Sequence, residues 1–233
     1  MNIQVNHPIL LINLPITKKE IVMRVMTIKE EKILLTAQSS KNQMELLHAM
    51  MVCLNNCMVE SNNVDLYKIP FYELQYIFLH LRSASVNKIT KLLIQDEYNK
   101  IKKHEVTIDI TNVNFITNNN EMLVMFSHNE GLEMMYPTFD TVKKMLLFDD
   151  PIEKTIEFLK HCIRKIFTEN SVYNTNTMTT EELTNYIESL PASYFENLKQ
   201  FIDNLPKITY EIEYTNTKGE YRKIVLDDLE NFI

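Results

Sequence analysis

Leu205-Pro206-Lys207-Ile208-Thr209-Tyr210-Glu211-Ile212-Glu213-Tyr214 leads into Thr215-Asn216-Thr217-Lys218-Gly219-Glu220, and then into Tyr221-Arg222-Lys223-Ile224-Val225-Leu226-Asp227-Asp228-Leu229-Glu230-Asn231-Phe232-Ile233. The first segment alternates apolar and polar residues, the period of a half-buried strand. Tyr210, Ile212 and Tyr214 fall on one face of it. The middle segment is a polar turn holding Gly219. The third alternates again and ends in a short amphipathic stripe of Leu226, Leu229 and Phe232. A β-hairpin that closes a largely helical half points to an α+β fold. The unit holds no catalytic constellation, and its polar side (Lys218, Glu220, Arg222) makes it a candidate contact surface.

Working back from the hairpin, residues 138–206 read mostly as helix. Leu198, Phe201, Ile202 and Leu205 keep helical spacing. Pro191 separates them from a helix with Leu183, Tyr186, Ile187 and Leu190, capped by Thr179 or Thr180. Residues 170–178 read as a polar linker. Residues 151–168 read as one helix, with apolar groups at Ile152, Ile156, Leu159, Ile163, Ile166 and Phe167. A further helix spans about 139–147.

Residues 1–137 read as helices with a small antiparallel sheet. Pro8 and Pro15 keep residues 1–19 out of helix. A strand over 20–26 precedes Thr27 and Glu30, the pattern of a capping box. One helix then runs to about Ser39, and a second covers about 42–59. A third covers 71–82. Segments 88–96 and 104–116 alternate as strands, the second turning Val106, Ile108, Ile110 and Val113 inward. Asn118–Asn120 marks a turn, and strands are expected around Met122, Val124 and Phe126 and over 131–136. The division adopted is 1–137 as an α+β domain and 138–233 as a helical region with the hairpin, the two able to pack as one unit.

Composition narrows the function. The chain is 45% hydrophobic and 24% charged, with a net charge of −7. Such a balance is ordinary for a folded protein and unsuited to neutralising a phosphate backbone overall. The candidate basic patch is Lys100, Lys102, Lys103 and His104. Only Gly131 and Gly219 are glycines, so no glycine-rich phosphate loop exists. No stretch is apolar enough for a membrane span. Asn2, Gln4 and Asn6 give no basic leader, and three thiols (Cys53, Cys57, Cys162) fit a reducing compartment.

The candidate chemistries are few. Cys53 and Cys57 stand one helical turn apart with His48 nearby, half of a zinc site at best. Without a second pair they read as small buried thiols. Cys162 could serve a Cys–His hydrolase, but no elbow or glycine-flanked nucleophile surrounds it. Asp149/Asp150, Glu181/Glu182 and Asp227/Asp228 sit at expected helix starts, where the dipole favours them. Met44, Met50, Met51 and Met58 read as core, or as an adaptable binding surface. No metal or cofactor is expected.

The order of elements is more specific than any one motif. Leu14-Pro15, a strand, and Met26-Thr27-Ile28-Lys29-Glu30-Glu31-Lys32-Ile33-Leu34 are followed by a helix carrying a Cys, then by Phe71–Ser85 with Leu81-Arg82. Residues 205–233 repeat a Leu-Pro, strand, turn, strand ending. This order resembles the baseplate hub and hub-assembly proteins of T4-type contractile-tailed bacteriophages. Many members carry Cys pairs after the Leu-Arg helix or in the closing hairpin. This chain has none in 83–110 or 206–226, so no metal role carries over.

The resemblance implies a non-enzymatic structural or assembly protein of a tail baseplate hub. It would act in the host cytoplasm, and its destination would be the virion tail baseplate. Its partners would be other tail and baseplate hub proteins, with self-association open, and no nucleic acid is expected. The residues assigned to partner binding are Tyr210, Tyr214, Lys218, Glu220, Arg222 and Phe232. Deleting 207–233 is expected to abolish partner binding more readily than any single Cys or His change.

Overall fold

A computed structural model describes residues 6–60, 63–86, 89–99, 101–117 and 122–226. In chain order its elements begin with strands β1 (Ile9–Asn13) and β2 (Glu20–Arg24), helices α1 (Ile28–Ser40) and α2 (Gln43–Cys57), and strand β3 (Met58–Glu60). Helix α3 (Phe71–Ser85) precedes strands β4 (Ile89–Gln95), β5 (Lys103–Asp109), β6 (Asn114–Ile116), β7 (Leu123–Met125) and β8 (Gly131–Met134). Helices α4 (Phe139–Met145) and α5 (Pro151–Cys162) follow, then β9 (Ile163–Phe167) and β10 (Val172–Asn174). Helices α6 (Thr180–Ser189) and α7 (Phe195–Asp203) and the hairpin β11 (Lys207–Thr215) and β12 (Tyr221–Leu226) complete the chain. The fold is α+β, with several small antiparallel sheets. The turn at Asn118–Asn120, Asp227/Asp228, Leu229 and Phe232 lie outside the described residues.

By Cα packing the chain forms two compact units, each discontinuous in sequence. One comprises Met1–Leu66, Tyr72–Ile116 and Lys207–Ile233; the other comprises Tyr67–Phe71 and Thr117–Pro206.

In the first unit, local signals set the helices. Thr27 and Glu30 form the full capping box of α1. Lys41 closes that helix in the left-handed region, at φ 54°. The Asn42 side chain then accepts from Met44 N and Glu45 N to start α2. Leu34, Leu47, Met50, Met51 and Leu54 are buried, as are Ile21 and Met23 of β2. Of the methionines, Met50 and Met51 are therefore core. A second core gathers Leu79 of α3, Ile108, Ile110, and Ile208 and Ile212 of β11. Tyr210 packs against it, and Tyr214 is buried nearby on the same face of β11. The expected strand 104–116 is broken in two. Asp109 accepts from Thr111 N and opens a short 3₁₀ turn, Ile110–Asn112, before β6. β6 then pairs with β11, Lys207 opposite Ile116 and Thr209 opposite Asn114.

Glu30 is buried and ion-paired to Arg24 at 3.0 Å. Its own burial would raise its carboxyl, but Arg24 and the Thr27 hydroxyl and amide outweigh that and hold it down at about 2, against an ordinary 4.5. A carboxyl depressed on folding stabilises above its unfolded pKa and loses that contribution as pH falls through the folded one. Glu30→Gln is therefore expected to cost about 1–2 kcal/mol at neutral pH, since Arg24 is partly exposed and the ion pair is partly screened. In urea melts the gap from the unaltered chain should close as pH is lowered from about 4.5 towards 2; a gap that does not narrow would contradict this account.

In the second unit the sequence expectation needs two corrections. Residues 151–168 are not one helix. α5 ends at Cys162, and Ile163–Phe167 is β9, between β8 and β10. The register shifts between Glu133 and Met134, leaving an extra residue on β9. That bulge lets Ile163 and Ile166 both face inward, although an odd spacing in a regular strand would send them to opposite faces. The same spacing of three is what a helix produces, so the two readings coincide in sequence. The polar linker 170–178 likewise contains a short strand, β10, paired with β9. Asp150 caps α5 with Pro151 at its first turn, and Thr179 with Glu182 boxes α6.

Candidate functional site

The expected contact residues of the closing hairpin are brought together with a second hairpin of the same unit. β4 and β5 pair from Ile89 opposite Asp109 to Gln95 opposite Lys103. The loop that joins them is built on Asp96. Its carboxylate accepts from Tyr98 N at 2.9 Å and Asn99 N at 3.0 Å, a local turn of the kind Asp favours. It also accepts from Thr217 N at 2.8 Å and Thr217 Oγ1 at 3.0 Å, in the turn of the other hairpin. His104 Nε2 lies 2.7 Å from it. Since a carboxylate only accepts, that nitrogen carries the proton. Asp96 is 1% exposed. Burial would raise its pKa, but the His104, Thr217 and Tyr98 hydrogen bonds hold it well below the usual carboxylate range.

The opposing turn is equally ordered. Asn216 N donates to Glu220 O at 3.0 Å, and the Asn216 side chain accepts from Lys218 N and Glu220 N. Gly219 sits at φ 79°, where a side chain would be strained. Around this frame the charged residues interlock. Lys218 Nζ stands 3.6 Å from the Tyr98 ring centroid. Arg222 Nε donates to Glu97 at 2.6 Å, and its Nη2 donates to Glu220 and to the Tyr98 hydroxyl. The Tyr214 and His104 rings lie 5.2 Å apart. Burial, then the Glu97 and Asp96 carboxylates, push the Tyr214 phenol up. Tyr210 is half-buried, and its hydroxyl accepts from Asp109 N at 3.2 Å.

Lys218, Glu220 and Arg222 thus form one polar cap with Glu97 and Tyr98. Tyr210 and Tyr214 lie beneath, facing the core. Sequence reading missed Asp96, the residue that joins the two turns. Asp96 and Asn99 are a visible turn signal, but the partner at Thr217 is 121 positions away.

The other candidates are placed differently. Cys53, Cys57 and Cys162 are all buried. Burial, foremost, pushes the Cys53 thiol up to about 12 and Cys57 to about 11. It pushes Cys162 well above the ordinary thiol range, away from the thiolate a nucleophile needs. His161, beside it, is held by Glu157 at 2.9 Å. Of the basic patch, Lys100 is outside the described residues, Lys102 and Lys103 are exposed, and His104 is on Asp96. Among the described residues, no group of three or more His, Cys, Asp or Glu could hold a metal ion. No helix among them is long and apolar enough to cross a membrane.

A family model described as T4 bacteriophage base plate protein matches residues 7–233. No curated protein and no solved structure matches the chain.

Proposed function

This chain belongs to the T4 bacteriophage base plate protein family, and on that premise we propose that it is a non-enzymatic structural or assembly protein of the baseplate hub. It works through protein–protein contacts with other tail and hub proteins, assembling in the host cytoplasm towards the virion tail baseplate. The observation that carries this reading is family membership over nearly the whole chain. The polar cap supports it. Two hairpins locked through Asp96 present Glu97, Tyr98, Lys218, Glu220 and Arg222 in a fixed arrangement, and a pre-ordered surface binds without the entropy cost of ordering loops.

The test is mass spectrometry of purified virions beside infected-cell lysate, with affinity capture of the chain from lysate. Recovery with tail proteins is expected in at least one of the two. A chain missing from tails and from every hub intermediate would overturn the proposal. Deletion of 207–233 is not a clean test of docking, because β11 supplies Ile208 and Ile212 to the core. Changes to the cap itself are.

A further inference from the structure

We infer that β1 is a self-association edge, pairing antiparallel with β1 of a second copy of this chain about a two-fold axis at Leu11. The inference is independent of the cap and of hub docking. Among the described residues β1 pairs only with β2, from Ile9 opposite Arg24 to Asn13 opposite Glu20. Among the described residues its other side is therefore an open edge. Leu14 N donates to Lys19 O, and Pro8 O accepts from Val25 N, at the two ends of this uninterrupted register. Antiparallel ladders alternate strictly. The even positions of β1 therefore face β2, and the N–H and C=O groups of Ile9, Leu11 and Asn13 face outward along the edge.

Those same odd positions carry the exposed side chains. Ile9 is 56% and Leu11 61% exposed. Edge strands are ordinarily protected by charge, a bulge or an internal proline. β1 has none of these. Residues 1–17 contain no Asp, Glu, Lys or Arg, in a chain that is 24% charged.

The lack of charge is what lets this edge meet its own copy. A strand meeting its own copy places equivalent residues near the axis, where any charge would face its like and repel. This strand has nothing to repel. With Leu11 opposite Leu11 of the copy, and Ile9 opposite Asn13, every outward backbone group of β1 finds a partner. The interface is isologous and closes on itself. A single strand pair is small, so a weak dimer that forms only as concentration rises is expected.

Sedimentation of the full chain across a concentration series tests the inference. The expected result is a rise towards twice the 27.6 kDa chain mass. Leu11→Lys should remain monomeric throughout with an unchanged circular dichroism spectrum, since the side chain is exposed. Leu11→Cys should cross-link between chains under mild oxidation, because directly opposed hydrogen-bonded residues bring their Cα atoms to about 5.5 Å. Ile28→Cys, at an 89% exposed site on α1, is the control and should not cross-link. The native thiols are buried and stay out of the reaction. A chain monomeric at all concentrations, as when a different protein's strand is the occupant, overturns the inference. So does a dimer that Leu11→Lys leaves intact, or cross-linking at Leu11→Cys no greater than at Ile28→Cys.

Discussion

Glu73→Ala is expected to lower the unfolding free energy by about 3–5 kcal/mol. Glu73 stands in the first turn of α3 and is 0% exposed. Its Oε1 accepts from Ile16 N and Thr17 N, both at 2.7 Å, and the Thr17 hydroxyl reaches both carboxylate oxygens. Those amides belong to the tight turn between β1 and β2, where Lys18 is held at φ 58°. Within that turn Lys18 N donates to Leu14 O and Leu14 N to Lys19 O. The amides of Ile16 and Thr17 find their partner in Glu73. Alanine leaves two donors without an acceptor and opens a void beneath the turn, and each loss carries a cost. The buried carboxylate is held by donors on both oxygens. Converging N–H and O–H dipoles and the helix N-terminus stabilise it. Glu73→Gln keeps the volume but turns one acceptor into a donor, and should lose about half as much. Urea melts measure the total, and hydrogen exchange at Ile16 and Thr17 locates it. A loss under about 1 kcal/mol, or unchanged protection at those two amides, would show that the turn holds itself.

What the sequence made legible is what local spacing controls. Thr27 with Glu30, Asn42 and Thr179 with Glu182 cap helices where the sequence reading put starts, because a cap is a bargain among neighbours within one turn. The closing hairpin was visible for the same reason: Tyr210, Ile212 and Tyr214 alternate, and Asn216 to Glu220 is a turn. β9 was not visible, because a bulge gives a strand the spacing of a helix. Nor was β6 pairing with β11, since nothing in Asn114 or Phe115 points to Thr209 or Ile208. Half of the cap was hidden likewise. Lys218, Glu220 and Arg222 read as a free polar side, whereas Tyr98, Glu97 and Asp96 engage that turn from more than a hundred positions away.

Asp96→Ala is expected to have two effects that separate structure from docking. It removes the acceptor shared by Tyr98 N, Asn99 N, His104, Thr217 N and Thr217 Oγ1. Both turns then lose an anchor, and the amides of Tyr98, Asn99 and Thr217 lose their acceptor. A fall in Tm of roughly 5 °C should follow. Amide protection should drop at Thr217 and Asn99, with the β2 and α1 amides unaffected. Because the carboxyl is depressed on folding, the latch is at full strength above the ordinary Asp range and weakens as pH falls below it. The Tm gap between Asp96→Ala and the unaltered chain should therefore shrink in acid. Arg222→Ala is the comparison. Arg222 is partly exposed and its ion pairs face solvent, so its stability effect should be small. If the cap is the hub-docking surface, both variants should weaken capture of tail proteins by tenfold or more, Asp96→Ala by disordering the surface and Arg222→Ala by removing a contact. If Asp96→Ala loses stability while both variants bind as the unaltered chain does, the cap is structural and docking lies on another face. A variant that keeps Thr217 protection without the Asp96 carboxylate would sink the latch itself.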